Sequence, residues 1–251
     1  MLELYQFRFS HYCAKVRWAL EHKHIAYRER NLLPGAHREV VRTLAGKSCL
    51  PVLVCEGTVV QDSTAIITFL DQHFPEDSLT PMDPDEARAA LEWEEYLDDE
   101  IGVPLRLWFY HHALPDRRRA LRFLLDAQPW QARLMFKVAF PKVRVAMTRA
   151  MGIDAAAAER AEARLFAALN RLDSALFGRE FLVGNHFSRA DLTACALLLP
   201  FCRPGESVDE AAEILPDTIA AARAASAHRR FFGWANQMYA NKLIRHGGVV
   251  D

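Results

Sequence analysis

The fold is decided at Ser10-His11-Tyr12-Cys13-Ala14-Lys15-Val16-Arg17. A short alternating run, Leu2 to Phe7, precedes it and reads as a first β-strand. Cys13, Val16 and Leu20 recur at i, i+3 and i+7 with Ala19 beside them, the spacing of an amphipathic helix. Ser10 stands at the N-cap, where its hydroxyl can accept from the free N–H groups of the first turn. A strand that runs into a cap and a helix N-terminus forms a small anion site, because unpaired amides and the positive end of the helix dipole face one point. The anion expected there is a thiolate.

Moving outward, residues 24–31 alternate enough for a second strand, Pro34-Gly35 is a turn, and His37 to Leu44 makes a short helix ended by Gly46. Leu50-Pro51-Val52-Leu53-Val54-Cys55 is β-rich. Proline cannot donate a ladder bond, so Pro51 belongs at the head of that strand. Glu56-Gly57 signals a hairpin to Thr58-Val59-Val60, and Asp62-Ser63 starts a helix with Ile66, Ile67 and Leu70 on its apolar face. The predicted order is β-α-β-α-β-β-α.

The remainder reads as helical. Residues 75–84 carry three prolines and form a linker. Asp85 to Tyr110 reads as one long helix kinked near Gly102 and Pro104, a further helical pattern surrounds 117–126, and Pro141 breaks the mixed apolar and basic stretch 129–151. Ala155 to Leu176 carries Leu165, Leu169, Leu172 and Leu176 on one face. Ser188 and Asp191 fit a capping box, with Phe187 and Leu192 as its hydrophobic staple.

The chain has 251 residues, 51% hydrophobic and 25% charged, with a formal net charge of −1. That composition supports a sizeable core and gives no reason to expect nucleic acid or an acidic membrane surface as a partner. No apolar run is long enough for a transmembrane helix, and Met1-Leu2-Glu3-Leu4 lacks the pattern of a signal peptide. Five cysteines without a CxxC pair suit free thiols in a reducing cytoplasm. His111-His112 is not a metal pair, since helix neighbours point about 100° apart.

The element order, with X-Pro heading the third strand, resembles a thioredoxin fold. The motifs resemble those of the cytosolic glutathione transferases. Ser10-His11-Tyr12-Cys13 looks like a glutaredoxin Cys-Pro-Tyr-Cys site whose first cysteine has become serine. Leu50-Pro51-Val52-Leu53 looks like the family's Val-Pro-Val-Leu with its cis-proline, and Gln61-Asp62-Ser63-Thr64-Ala65-Ile66 like its Glu/Gln-Ser-x-Ala-Ile motif. The Ser188–Asp191 box is similar to the one buried in the family's all-α domain. The resemblance implies a thioredoxin-like α/β domain at 1–76, a linker at 77–84 and an all-α domain at 85–251. Residues 112–155 are longer than usual for the family and carry no recognised motif.

What the resemblance implies chemically is transfer of a glutathione thiolate, as co-substrate, to a small electrophile. It implies no metal, a homodimer, and cytoplasmic detoxification. Ser10 is placed to donate to the sulfur. A free thiol has a pKa of about 8.5, and lowering it by roughly two units needs about 2.7 kcal/mol. One charge-assisted hydrogen bond of ~1.5–3 kcal/mol with a helix-end contribution of ~0.3–1 can supply this. Cys13, one turn on, reads as a packed small hydrophobe but stays a second candidate for the sulfur's partner, and Tyr5 is a third. Leu50 and Pro51 should offer backbone to the cysteinyl part, Ser63 and the helix start should hold the γ-glutamyl carboxylate, Asp62 should receive the α-ammonium, and Gln61 should add a hydrogen bond. His37, Arg38 and Lys47 are candidates for the glycyl carboxylate. Tyr12, Trp108, Tyr110 and His111, with Phe109 beside them, are candidates for the electrophile pocket. Two alternatives stay open: a glutathione-dependent reductase or isomerase using Cys13, and a non-catalytic binding or scaffold protein.

Overall fold

A computed structural model describes residues 1–203, 205, 210, 211 and 214–243. The end of the expected all-α region, to 251, lies outside the described residues. Strand β1 (Leu2–Gln6) leads through Ser10 into α1 (His11–His22), followed by β2 (Tyr27–Asn31), α2 (His37–Ala45), β3 (Val52–Cys55), β4 (Thr58–Gln61) and α3 (Ser63–His73). The sheet order is β2-β1-β3-β4. β1 runs parallel to β2, with Leu2 opposite Tyr27, and antiparallel to β3, with Tyr5 opposite Val52. The β3–β4 turn has positive φ at both Glu56 (50°) and Gly57 (90°), as a hairpin matched to strand twist requires. This is the thioredoxin-like arrangement. Leu4, Val16, Leu20, Leu53, Ile66 and Leu70 fill its core.

Helices α4 (Pro84–Leu97), α5 (Val103–Ala113), α6 (Arg117–Leu124), α7 (Trp130–Ala150), α8 (Ala155–Ala175), α9 (Arg189–Cys202), α10 (Asp217–Ser226) and α11 (Arg230–Met238) follow. Asp83 caps α4 through Asp85 and Glu86 N–H, with Pro84 in its first turn. Leu97, Leu105, Leu165, Leu169, Leu198 and Phe231 belong to the helical core.

Two expectations change. The long helix from residue 85 does not simply kink: α4 and α5 are joined by a π-helical turn, Asp98–Gly102. Pro104 lacks the N–H that an unbroken α-helix would use there, and a wider turn absorbs the lost bond. Pro141 does not break its stretch either, for α7 runs straight through it. The carbonyl that Pro141 leaves without a helical donor, on Lys137, accepts from Arg117 Nη2 at 3.0 Å. Only Phe136 and Phe140 of α7 are buried. They pack with Tyr110, Leu114 and Leu124, and Phe9 of the first domain joins that cluster. Residues 112–155 therefore form an outer wall beside the end of β1.

Asp191 is fully buried. Its Oδ2 accepts from the N–H (3.0 Å) and hydroxyl (2.9 Å) of Ser188, and its Oδ1 from Leu182 N–H at 2.8 Å. The capping box is formed, and it ties the 181–188 loop to α9 as well as closing the helix end.

Candidate active site

The start of α1 is built as its sequence dictates. Ser10 is extended (φ −79°, ψ 127°), and its Oγ accepts from Cys13 N–H at 3.4 Å. Because that bond uses a lone pair, the hydroxyl proton remains available to donate. Cys13 is fully buried, and burial raises its thiol pKa despite the Ser10 contact. A thiol with a raised pKa and no solvent access is a poor nucleophile. Tyr5 lies mid-strand, with its hydroxyl donating to Glu3 Oε2 at 3.2 Å.

Two cavities flank this helix start. The first, of about 380 Å³, is lined by Lys47, Leu50, Pro51, Gln61, Asp62 and Ser63, together with Tyr12. The Leu50–Pro51 bond is cis. Among the described residues no protein hydrogen bond reaches the Leu50 N–H or C=O, so both are free for a ligand. Gln61 Nε2 donates to the Lys47 (3.0 Å) and Cys49 (2.7 Å) carbonyls. Its amide thus braces the loop that carries Leu50. Asp62 has φ 93° and caps α3 by accepting from Thr64 (3.0 Å) and Ala65 (3.1 Å) N–H, both at Oδ1. The second carboxylate oxygen remains for a cation, and buried Ser63 sits at the helix start. Of the three candidate cations, Lys47 lines this cavity. His37 instead accepts from Gly35 N–H through Nδ1 at 3.1 Å and packs edge-on to Phe7.

The second cavity, of about 470 Å³, is lined by Ser10 and His11 of α1 and by Leu105, Phe109, Tyr110 and Phe123. Of the residues expected around an electrophile, Tyr110 is here. Trp108 is fully buried in the helical core, one helical step from the cavity-facing positions. His111 packs against His112 rather than lining the cavity. Tyr12 turns to the other side: its hydroxyl donates to Asp98 O at 2.8 Å and its ring faces the smaller cavity. Arg106 touches both cavities, 5.8 Å above the Tyr12 ring.

Sequence reasoning missed what holds the two domains in register around this site. Lys15 is fully buried on α1, and its Nζ meets Glu94 Oε1 at 2.7 Å, Asp98 Oδ2 at 2.8 Å and Thr64 Oγ1 at 3.1 Å. Arg189 on α9 pairs with Glu94 from the other side and donates to Thr80 Oγ1, Thr64 O and Thr68 Oγ1. Burial pushes the Glu94 carboxyl up, but Lys15 and Arg189 outweigh it and hold it below the usual range. Lys15 beside the apolar positions Cys13, Val16, Ala19 and Leu20 of α1 was the available signal. Exposed Cys49 was missed as well, and it lines the smaller cavity.

Residues 4–78 match the family described as glutathione S-transferase, N-terminal domain, and residues 135–216 match glutathione S-transferase, C-terminal domain. The chain belongs to the cytosolic glutathione transferase superfamily. Glutathione S-transferase 1 of Dianthus caryophyllus is 30% identical over 134 residues, which is 44% of this chain and 59% of that protein. Glutathione S-transferase U4 of Arabidopsis thaliana is 34% identical over 53 residues, 21% of this chain and 24% of that one. The chain thus aligns with between about a quarter and three-fifths of these relatives. The solved beta-etherase LigF of a Sphingobium species shares the fold, with a TM-score of 0.63 at 20% identity over 94% of this chain and 98% of that chain. Among the described residues no group of three or more His, Cys, Asp or Glu side chains could hold a metal ion, and no helix is long and apolar enough to cross a membrane.

Proposed function

We propose that the protein is a glutathione transferase that joins the glutathione sulfur to a small electrophile, with Ser10 as the sulfur's hydrogen-bond donor. The observation that carries this reading is the contrast at the start of α1. The Ser10 hydroxyl lines the larger cavity with its proton uncommitted, while Cys13 is buried with a raised pKa. Glutathione would lie in the smaller cavity, its cysteinyl backbone on Leu50, its γ-glutamyl end at Ser63 and the second oxygen of Asp62, its glycyl carboxylate toward Lys47. The electrophile would enter the larger cavity. The thiolate attacks it directly, and the protein supplies charge stabilisation and position. A cytoplasmic homodimer with a detoxifying role belongs to the same proposal.

The rival reading, glutathione-dependent reduction through a protein thiol, moves from buried Cys13 to exposed Cys49, which lines the smaller cavity. Ser10→Ala should raise the pKa of bound glutathione by roughly one to two units, the equivalent of one lost charge-assisted hydrogen bond of ~1.5–3 kcal/mol. Turnover at neutral pH should fall accordingly, and glutathione affinity much less. Thiolate absorbance against pH reads the shift directly. Activity that survives Ser10→Ala but disappears in Cys49→Ala or Cys13→Ala would transfer the assignment to thiol redox chemistry.

A further inference from the structure

The larger cavity carries a concentrated charge of one sign. Among the described residues lining it, five are arginines (Arg8, Arg17, Arg106, Arg122 and Arg203) and one is a carboxylate, Asp126. The chain as a whole is nearly neutral at −1, so this excess is local. Arg17 is 6% exposed; its guanidinium donates to the amide oxygen of Gln6 at 2.6 Å, and the Glu29 and Glu21 carboxylates act on it from nearby. Arg8 is paired with Glu29 at 2.7 Å. Arg122 and Arg203 make contacts of their own.

Two buried nitrogens lack a hydrogen-bond partner at this point: His11 Nε2 on α1 and Arg106 Nε on α5. His11 is 5% exposed and lines the cavity. Burial first, then Arg106 and Lys15, lower its pKa to about 3, so it stays neutral and adds no charge. A buried polar group without a partner inside the protein marks a place for an outside one.

Part of the lining is aromatic, Phe9, Phe109, Tyr110 and Phe123, beside aliphatic Leu105, Leu199 and Pro200. Tyr110 and Phe123 are stacked at 5.8 Å with 14° between their planes, and Phe109 meets Phe123 edge-on at 5.4 Å. An aromatic wall beside guanidinium groups suits a ring bearing a carboxylate, because the planar guanidinium fork matches the two carboxylate oxygens.

We propose that the larger cavity binds an aromatic carboxylate, and that the second substrate of the transfer is a flat aryl electrophile carrying that group. The ring lies against Phe109 and Phe123, and the carboxylate faces Arg17, Arg106 and Arg122. The substrate part of this statement rests on the transferase reading above; the binding part does not. With a chlorodinitrobenzoate, the thiolate sulfur bonds to the ring carbon that bears chlorine. Chloride leaves with its electron pair, and the thiol proton goes to solvent.

The test uses the full chain in two arms. In the first, dinitrobenzoate and its methyl ester are titrated calorimetrically onto protein saturated with S-methylglutathione. The acid should bind at least tenfold more tightly than the ester at low ionic strength, with the advantage shrinking as salt is added. In Arg106→Gln and Arg122→Gln, each checked for folding by circular dichroism, the ratio should fall at least fivefold; the second variant carries the test if the first does not fold. Equal or tighter binding of the ester overturns the proposal, and so does displacement of the acid by S-methylglutathione, which would make the arginines part of the glutathione site. In the second arm, kcat/KM is compared for chlorodinitrobenzoate and its ester, and the acid should be preferred. Binding of the acid without turnover of either compound would keep the cavity assignment and remove the transferase reading. Turnover of the ester with no preference for the acid would do the reverse.

Discussion

The two cavities beside α1 are built in opposite ways. The smaller one comes mostly from one continuous stretch, Lys47 to Ser63, with its cis-proline loop, an amide bracing two carbonyls, and a capped helix start, and Tyr12, Asp98, Asp99, Val103 and Arg106 complete it. The larger one is side chain and is gathered from the end of β1, from α1, α5 and α6, and from the far end of α9. A continuous stretch can be specified by a few neighbouring residues, since the turn, the cap and the proline fix each other locally. A side-chain site needs helices separated by about two hundred residues to meet, and its composition can drift without disturbing the fold. The comparison predicts that ligand chemistry in this protein is set in the second cavity, and that the join between the two regions matters more to stability than either one.

The largest expected effect is therefore at that join. Glu94→Ala leaves Lys15 and Arg189 buried without their shared carboxylate, and should cost about 3–5 kcal/mol. Equilibrium denaturation measures it. A loss under about 1 kcal/mol would mean that apolar burial alone holds the two regions together. Gly102→Ala comes next. An added Cβ would lie 2.8 Å from the Tyr12 ring carbon Cζ and 3.1 Å from a Leu197 methyl, so Tyr12 must give up its bond to Asp98 O. Overpacking of this kind costs about 1–3 kcal/mol, offset in part by the ~0.5–1 that alanine gains over glycine in a helix. Because Tyr12 lines the smaller cavity, KM for glutathione should rise while binding in the larger cavity holds. If binding in the larger cavity falls just as much, the two regions are not separable.

The smallest effect is pH-dependent and concerns Asp191, a locally written motif in a tertiary setting. Burial raises its pKa from 3.8 to about 6, against the hydrogen bonds from Leu182 and Ser188 that favour the charge. The folded state then holds a proton that the unfolded state has released between about pH 4 and 6, so this group's contribution to stability falls as pH rises through that window. Lowering the pH from 7 to 5 should stabilise the wild type, relative to Asp191→Asn, by about 1 kcal/mol. Urea midpoints at the two pH values check the sign; no difference would place the Asp191 pKa in the ordinary range.

Much of this was legible in the residues. Ser10 followed by an apolar helical stripe, X-Pro ahead of a β-rich run, Glu-Gly between two short strands, and Ser188 with Asp191 each act over a few positions. Each appears in the structure as cap, cis bond, turn and box. Pro141 misled because the compensating donor, Arg117, lies on another helix. Trp108 misled because one step around a helix separates core from cavity, and only the packing of α5 against α8 and α9 decides which face is which. The sequence by itself determined the β-α-β-α-β-β-α order of the thioredoxin-like start, its cis-proline and the capping box, because these follow from short-range sterics and hydrogen bonding. The tertiary structure alone decided that Lys15 and Arg189 share a carboxylate, that burial raises the Cys13 thiol pKa, and that five arginines line one space, because burial and electrostatic fields are sums over residues far apart in the chain.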